Sequence, residues 1–141
     1  MARTKGTLVG LKNREQAASL TELACRVTAP GEELQLVHVI EVPDATPLDA
    51  PLPTADREAA NILRAGEDVA RRRRRKVSTQ VFRARTAGRA LLEELKDRNV
   101  ALAVLGSHHG RSVREWFGGT THQYLARRAP CRILLEIPPR T

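Results

Sequence analysis

Aromatic residues are almost missing: one Trp, one Tyr and two Phe make up 3% of 141 residues. So few rings exclude a stacking platform of the kind that grips single-stranded nucleic acid base by base. Cysteine is equally scarce. Cys25 and Cys131 cannot build a disulfide framework and lack the paired spacing of a zinc site, so both read as reduced, buried thiols. No apolar run approaches the ~20 residues that span a bilayer, which excludes a transmembrane helix. The first residues hold no segment of signal-peptide length, because 7–11 is broken by Gly10 and followed by Lys12. The expected location is cytoplasmic. Catalytic pattern is absent too: no Gly-x-Ser-x-Gly elbow surrounds Ser107 or Ser112, and no acid completes a triad. His38, His108, His109 and His122 have no carboxylate or cysteine at ligand spacing, so neither an enzyme nor a resident metal is expected.

What the chain does have is length for one domain, residues 1–141, and an ordinary hydrophobic fraction of 41%. It is also basic, with 24 Lys and Arg against 16 Asp and Glu, a formal +8. Six of those positives stand together at 71–76, leaving +2 for the remainder. A charge excess of this size raises nucleic acid or a membrane surface as partner, and its position decides.

Hydrophobic periodicity alternates between strand and helix. A β-like run at 7–11 precedes Asn13 and Gln16, which have capping-box spacing, and Ala17, Leu20, Leu23, Ala24 and Val27 then recur as one buried helical stripe. Residues 34–42 read as a strand covered on both faces, with Gln35 and His38 as its interruptions. The stretch 43–53 holds four of the eight prolines and reads as a loop. A helix follows with Ala59, Ile62, Leu63, Val69 and Ala70 inward and Gly66 on the same stripe, running into the arginine block. Val77, Val81 and Phe82 suggest a third strand, Leu91, Leu92 and Leu95 a third helix, and 101–105 a fourth strand ending at Gly106. Thr120 with Gln123 offers a second capping box before a helix to Arg128, and 133–137 reads as the last strand. Regular alternation predicts an α/β fold: an open five-stranded parallel sheet with helices on both faces.

The informative segment runs from Val104 to Cys131. Gly106 closes a strand, Gly110 follows, and Gly119-Thr120 opens a helix. Glycines let backbone N–H groups approach an anion, and the first turn of a helix presents free donors. Strand-Gly-Ser, Gly-Arg-Ser, Gly-Thr at a helix start and Arg-Arg-Ala-Pro-Cys before an apolar strand resemble the C-terminal signature of the universal stress proteins. The resemblance extends to the early first strand, the run Leu-Val-His-Val-Ile-Glu at 36–41, and the length.

That resemblance implies a sheet ordered 3-2-1-4-5, a Rossmann-like fold, and in many members a site for ATP or AMP built on Gly-x2-Gly-x9-Gly-(Ser/Thr). Gly106 matches the first glycine, and Gly119 and Thr120 match the last pair. His109 stands where the second glycine belongs, with Gly110 one place later. Lys12 stands where nucleotide-binding members carry an Asp, and a lysine cannot accept hydrogen bonds from ribose hydroxyls but can meet a phosphate. The implied site therefore comprises Lys12, Gly106, Ser107, His109, Gly110, Gly119 and Thr120, at the switch point between strands one and four. No metal is implied beyond magnesium carried by the nucleotide. The implied role is a regulatory stress-response domain. The alternative, motivated by Lys12 and His109, is a dimeric protein-interaction or transporter-regulatory module without nucleotide.

One partner is expected and another is not. The family commonly dimerises through the last strand, and Ile133, Leu134, Leu135 and Ile137 on an edge need cover, so a homodimer is expected. Nucleic acid is not expected as a partner: no reading motif accompanies 71–76, and the run lies at the foot of a helix opposite the glycine loop. The run reads instead as a solvated patch that complements a helix dipole. Trp116, Phe117 and Tyr124 read as packing residues.

Overall fold

Each of the first four strands in this chain is followed by a helix that carries the backbone back to the edge where the next strand starts. A computed structural model describes residues 6–98, 100–106 and 120–137. The order is β1 (Thr7–Gly10), α1 (Arg14–Val27), β2 (Leu34–Glu41), α2 (Pro53–Arg72), β3 (Val77–Ala84), α3 (Ala87–Arg98), β4 (Leu102–Gly106), α4 (Thr120–Arg128) and β5 (Arg132–Glu136). All strands are parallel, in the order β3-β2-β1-β4-β5. The implied order and fold are thus observed. Register follows burial: Val9 lies opposite Leu36 on one side and Val104 on the other.

Two cores sandwich the sheet. Leu20 and Ala24 of α1 and Ile62 and Leu63 of α2 pack with Val9, Leu36 and Val104 on one face. Leu91, Leu95 and Leu125 of α3 and α4 pack with Leu8, Val37 and Leu105 on the other. Gly66 permits a close approach of α2 to α1 and the sheet: a Cβ there would lie 2.8 Å from Leu11 Cδ1, 2.9 Å from Thr21 Oγ1 and 3.0 Å from Leu36 Cδ1. The stripe of α1 is turned slightly from the expected one. Val27 is 43% exposed, while Thr21 and Cys25 are buried. Thr21 turns inward at little cost because its hydroxyl donates to the Ala17 carbonyl at 2.8 Å.

His38, an interruption in the apolar run of β2, is buried. Two further expectations shift. Thr120 is the first helical residue of α4 rather than a cap residue before it. Ile137 lies beyond β5 and is 57% exposed. Tyr124 packs against the α3 and α4 core as expected, with the Arg128 guanidinium 4.1 Å over its ring; Trp116 and Phe117 lie outside the described residues.

The loop at 43–52 is strapped to the edge strand. Arg83 donates to the carbonyls of Leu48 and Ala50 and makes a two-pronged contact with Asp56, at 3.0 and 3.1 Å. Arg85 donates to the carbonyls of Pro43 and Thr46. Two guanidinium forks, one on β3 and one just after it, thereby serve backbone that proline keeps out of regular ladders. The described bonds of the loop draw it toward β3.

The arginine run resolves into unlike parts. Arg74 N–H donates to the Arg71 carbonyl and Arg75 N–H to the Ala70 carbonyl, both at 2.9 Å, while Arg74 takes φ 56°. This pair of bonds is the Schellman ending of α2, with arginine at the left-handed position that glycine usually fills. The Arg75 side chain then reaches across to the end of α1, donating to the carbonyls of Cys25, Thr28 and Ala29, each at 2.9 Å. One residue of the run closes two helices. Arg73 pairs with Glu22 at 2.7 Å and Arg71 with Glu67 at 2.8 Å, all partly exposed.

Candidate functional site

The carboxyl ends of β1 and β4 are neighbours, and the helices that follow them in the chain, α1 and α4, pack on opposite faces of the sheet. Such a divergence opens a crevice in an open parallel sheet. β1 sets its first wall. Leu11 N–H donates to the Val37 carbonyl at 2.8 Å, extending the ladder one residue beyond the strand. The Leu11 carbonyl then accepts from His38 Nδ1 at 2.7 Å. Because a carbonyl can only accept, the His38 proton is on Nδ1, and the ring is a fixed strut from β2 to the turn that bears Lys12. Burial holds the His38 pKa below its ordinary 6.5, opposed by the bond to Leu11, so the strut is neutral near pH 7.

Lys12 follows directly. It is partly buried, and that desolvation lowers its pKa from the ordinary 10.5, with Glu41 pulling the other way. Glu41, the last residue of β2, accepts from the Ala87 N–H at 2.8 Å and so caps the start of α3. Asn13 caps α1, its side chain accepting from the Gln16 N–H at 2.9 Å, as the capping-box spacing predicts.

The Gln16 side chain does something the sequence did not signal. It lies against the end of β4, its Oε1 2.7 Å from where a Cβ on Gly106 would be, with Leu20 Cδ1 at 3.0 Å. Gly106 is needed here for a close approach of α1, in addition to any contact with an anion. Lys12 and Gly106 are therefore brought to adjoining strand ends, and α4 opens at Thr120 on the far side of the connecting segment. Ser107, His109, Gly110 and Gly119 lie outside the described residues. His38, Gln16 and Glu41 are the shaping residues that sequence reasoning missed. Only an alternation break marked His38, and nothing in the pattern linked Glu41 to α3.

The remaining reactive groups are quiet. Cys25 and Cys131 are free thiols, and burial raises both pKa values, which keeps them protonated and unreactive. Among the described residues no cluster of His, Cys, Asp and Glu could hold a metal. Among them, too, no helix is long and apolar enough to cross a membrane.

Comparison with known proteins agrees with this geometry. A universal stress protein from Archaeoglobus fulgidus, solved in complex with dAMP, superposes with a TM-score of 0.70 at 12% identity, covering 93% of this chain and 96% of that one. A universal stress protein family protein from Arabidopsis thaliana with AMP bound gives 0.65 at 11% identity, over 96% and 92%. The Lactobacillus plantarum universal stress protein gives 0.58 at 21% identity, over 96% and 99%. At these identities the likeness is one of fold. No curated protein matches the chain in sequence. The universal stress protein family profile, however, matches residues 4–135, nearly the whole chain. The chain belongs to the universal stress protein family.

Proposed function

We propose that this protein is a non-catalytic regulatory domain whose β1 and β4 crevice binds an adenine nucleotide, ATP or AMP. The observation that carries the reading is the meeting of Lys12 and Gly106 at adjoining strand ends, with α4 opening beyond them. It is supported by structural relatives that hold dAMP and AMP. Lys12 supplies a cation for the phosphates. Gly106 supplies backbone at the end of β4, beside the Gln16 side chain that packs against it, and the first turn of α4 supplies N–H donors. Magnesium enters only as a companion of the nucleotide.

The regulatory unit is a homodimer in the cytoplasm. Ile133, Leu134 and Leu135 of β5 are only half-buried in the single chain, on an edge strand whose backbone is open to pairing. Isothermal titration with ATP and AMP, after mass spectrometry of whatever co-purifies, tests the nucleotide. Saturable heat with either supports the reading. Absence of both heat and bound nucleotide sinks it and leaves a protein-interaction module.

A further inference from the structure

The four helices end at the amino edge of the sheet, and the charge of the chain is collected there. The last turn of each helix with its connection to the next strand comprises residues 24–33, 69–76, 95–101 and 125–131. These segments hold 11 of the 24 basic residues and 3 of the 16 acidic ones. The rest of the chain holds 13 of each, so the whole formal +8 lies at this pole. Arg26, Arg72, Arg74, Lys76, Lys96 and Arg127 are all exposed on it. Read in sequence, 71–76 is an isolated patch; in the fold it is one quarter of a face to which every helix contributes.

Local structure uses part of this charge. Four helix carboxyl ends at roughly −0.5 each offset about two charges. Glu22, Glu67 and Glu94, paired with Arg73, Arg71 and Arg98, offset three more. A surplus of about three remains after both, and the exposed pairs are weak enough to be exchanged for another anion.

We propose that this amino pole is a contact surface for duplex nucleic acid, binding the phosphate backbone without reading base sequence. Nine of the eleven cations are arginine, whose planar fork matches phosphate. No aromatic residue occurs in the four segments, which removes the stacking that single strands require. Val27 is the one exposed large apolar residue described on this pole, too little for insertion into a lipid surface. The nucleotide crevice lies at the opposite end of the strands, so the two surfaces are independent.

Fluorescence anisotropy with two unrelated duplex DNAs of about 20 base pairs tests the proposal. Three phosphate contacts predict equal affinity for both sequences, falling about 40-fold between roughly 50 and 200 mM salt. Arg72→Glu with Arg74→Glu, and separately Lys96→Glu with Arg127→Glu on the other face of the sheet, each weaken binding at least ~10-fold and flatten the salt slope. Arg57→Glu, an exposed cation at the other end of α2, leaves affinity within about twofold. Thermal unfolding verifies that each variant is folded, and either double variant alone suffices. The proposal is overturned if no saturable binding occurs at low salt, if the two sequences differ, if a folded double variant binds as before, or if Arg57→Glu weakens binding equally. Tighter binding to phosphatidylserine vesicles than to duplex also overturns it.

Discussion

The two ends of the sheet use cations in opposite ways. At the carboxyl end Lys12 is partly desolvated, next to a turn held by a neutral histidine strut and within the field of a helix-capping glutamate. At the amino end cations are numerous, and neighbours in sequence do unrelated things. Arg75 closes the end of α1 with three bonds to carbonyls, whereas Arg72 extends into solvent. The role of a charge is set by what its surroundings leave unsatisfied, and residue type alone does not reveal it.

The largest expected effect separates those two arginines. Arg75→Ala leaves three carbonyls at a helix end without their charged donor and is expected to cost about 2 kcal/mol. Arg72→Ala removes an exposed side chain and is expected to change stability by less than about 0.5 kcal/mol. Denaturant unfolding of both variants measures the difference; equal losses would mean that the run acts as a uniform patch.

At the other pole, Lys12→Ala is expected to weaken ATP binding about tenfold, roughly 1.4 kcal/mol, and AMP binding less, because AMP carries fewer phosphate charges. Isothermal titration reads both. Equal losses for the two nucleotides would move Lys12 from the phosphates to the nucleoside.

Much of this comparison was legible in the sequence, and its missing half has a physical cause. Strand and helix order, the Asn13 cap and the close approach at Gly66 are local or periodic signals, and all appear in the structure. Gly106 was legible as a strand end but not as a steric need, because Gln16 reaches it from ninety residues away in sequence. The Arg75 bridge to α1 spans a gap of 46 to 50 residues. Val27 was assigned to the buried stripe because periodicity cannot see that Thr21 satisfies its own hydroxyl and turns inward. The pooling of charge at one pole needed the topology, since it sums four segments that are far apart in the chain.

A smaller effect refines the amino pole. Arg74 holds φ 56°, a conformation that costs an L-residue roughly 1–2 kcal/mol, where glycine is free to adopt it. Part of that gain is lost to the greater freedom of glycine in the unfolded chain. Arg74→Gly is therefore expected to stabilise by about 0.5–1 kcal/mol, while Arg74→Ala brings no gain, and thermal unfolding of the pair distinguishes them.

The smallest effect concerns the histidine strut. The folded pKa of His38 lies below the unfolded value of about 6.5, so the unfolded chain binds the proton first as pH falls. The strut's contribution is complete above that value and is lost progressively as pH drops through it toward the folded pKa. His38→Asn keeps a donor near Nδ1 for the Leu11 carbonyl but has no proton to gain. Its unfolding midpoint is expected to fall less between about pH 7 and pH 5 than that of the parent chain. Parallel curves for the two proteins would show that the acid sensitivity of the fold arises elsewhere. The Lys12 turn would then owe its position to the extended β1 ladder alone.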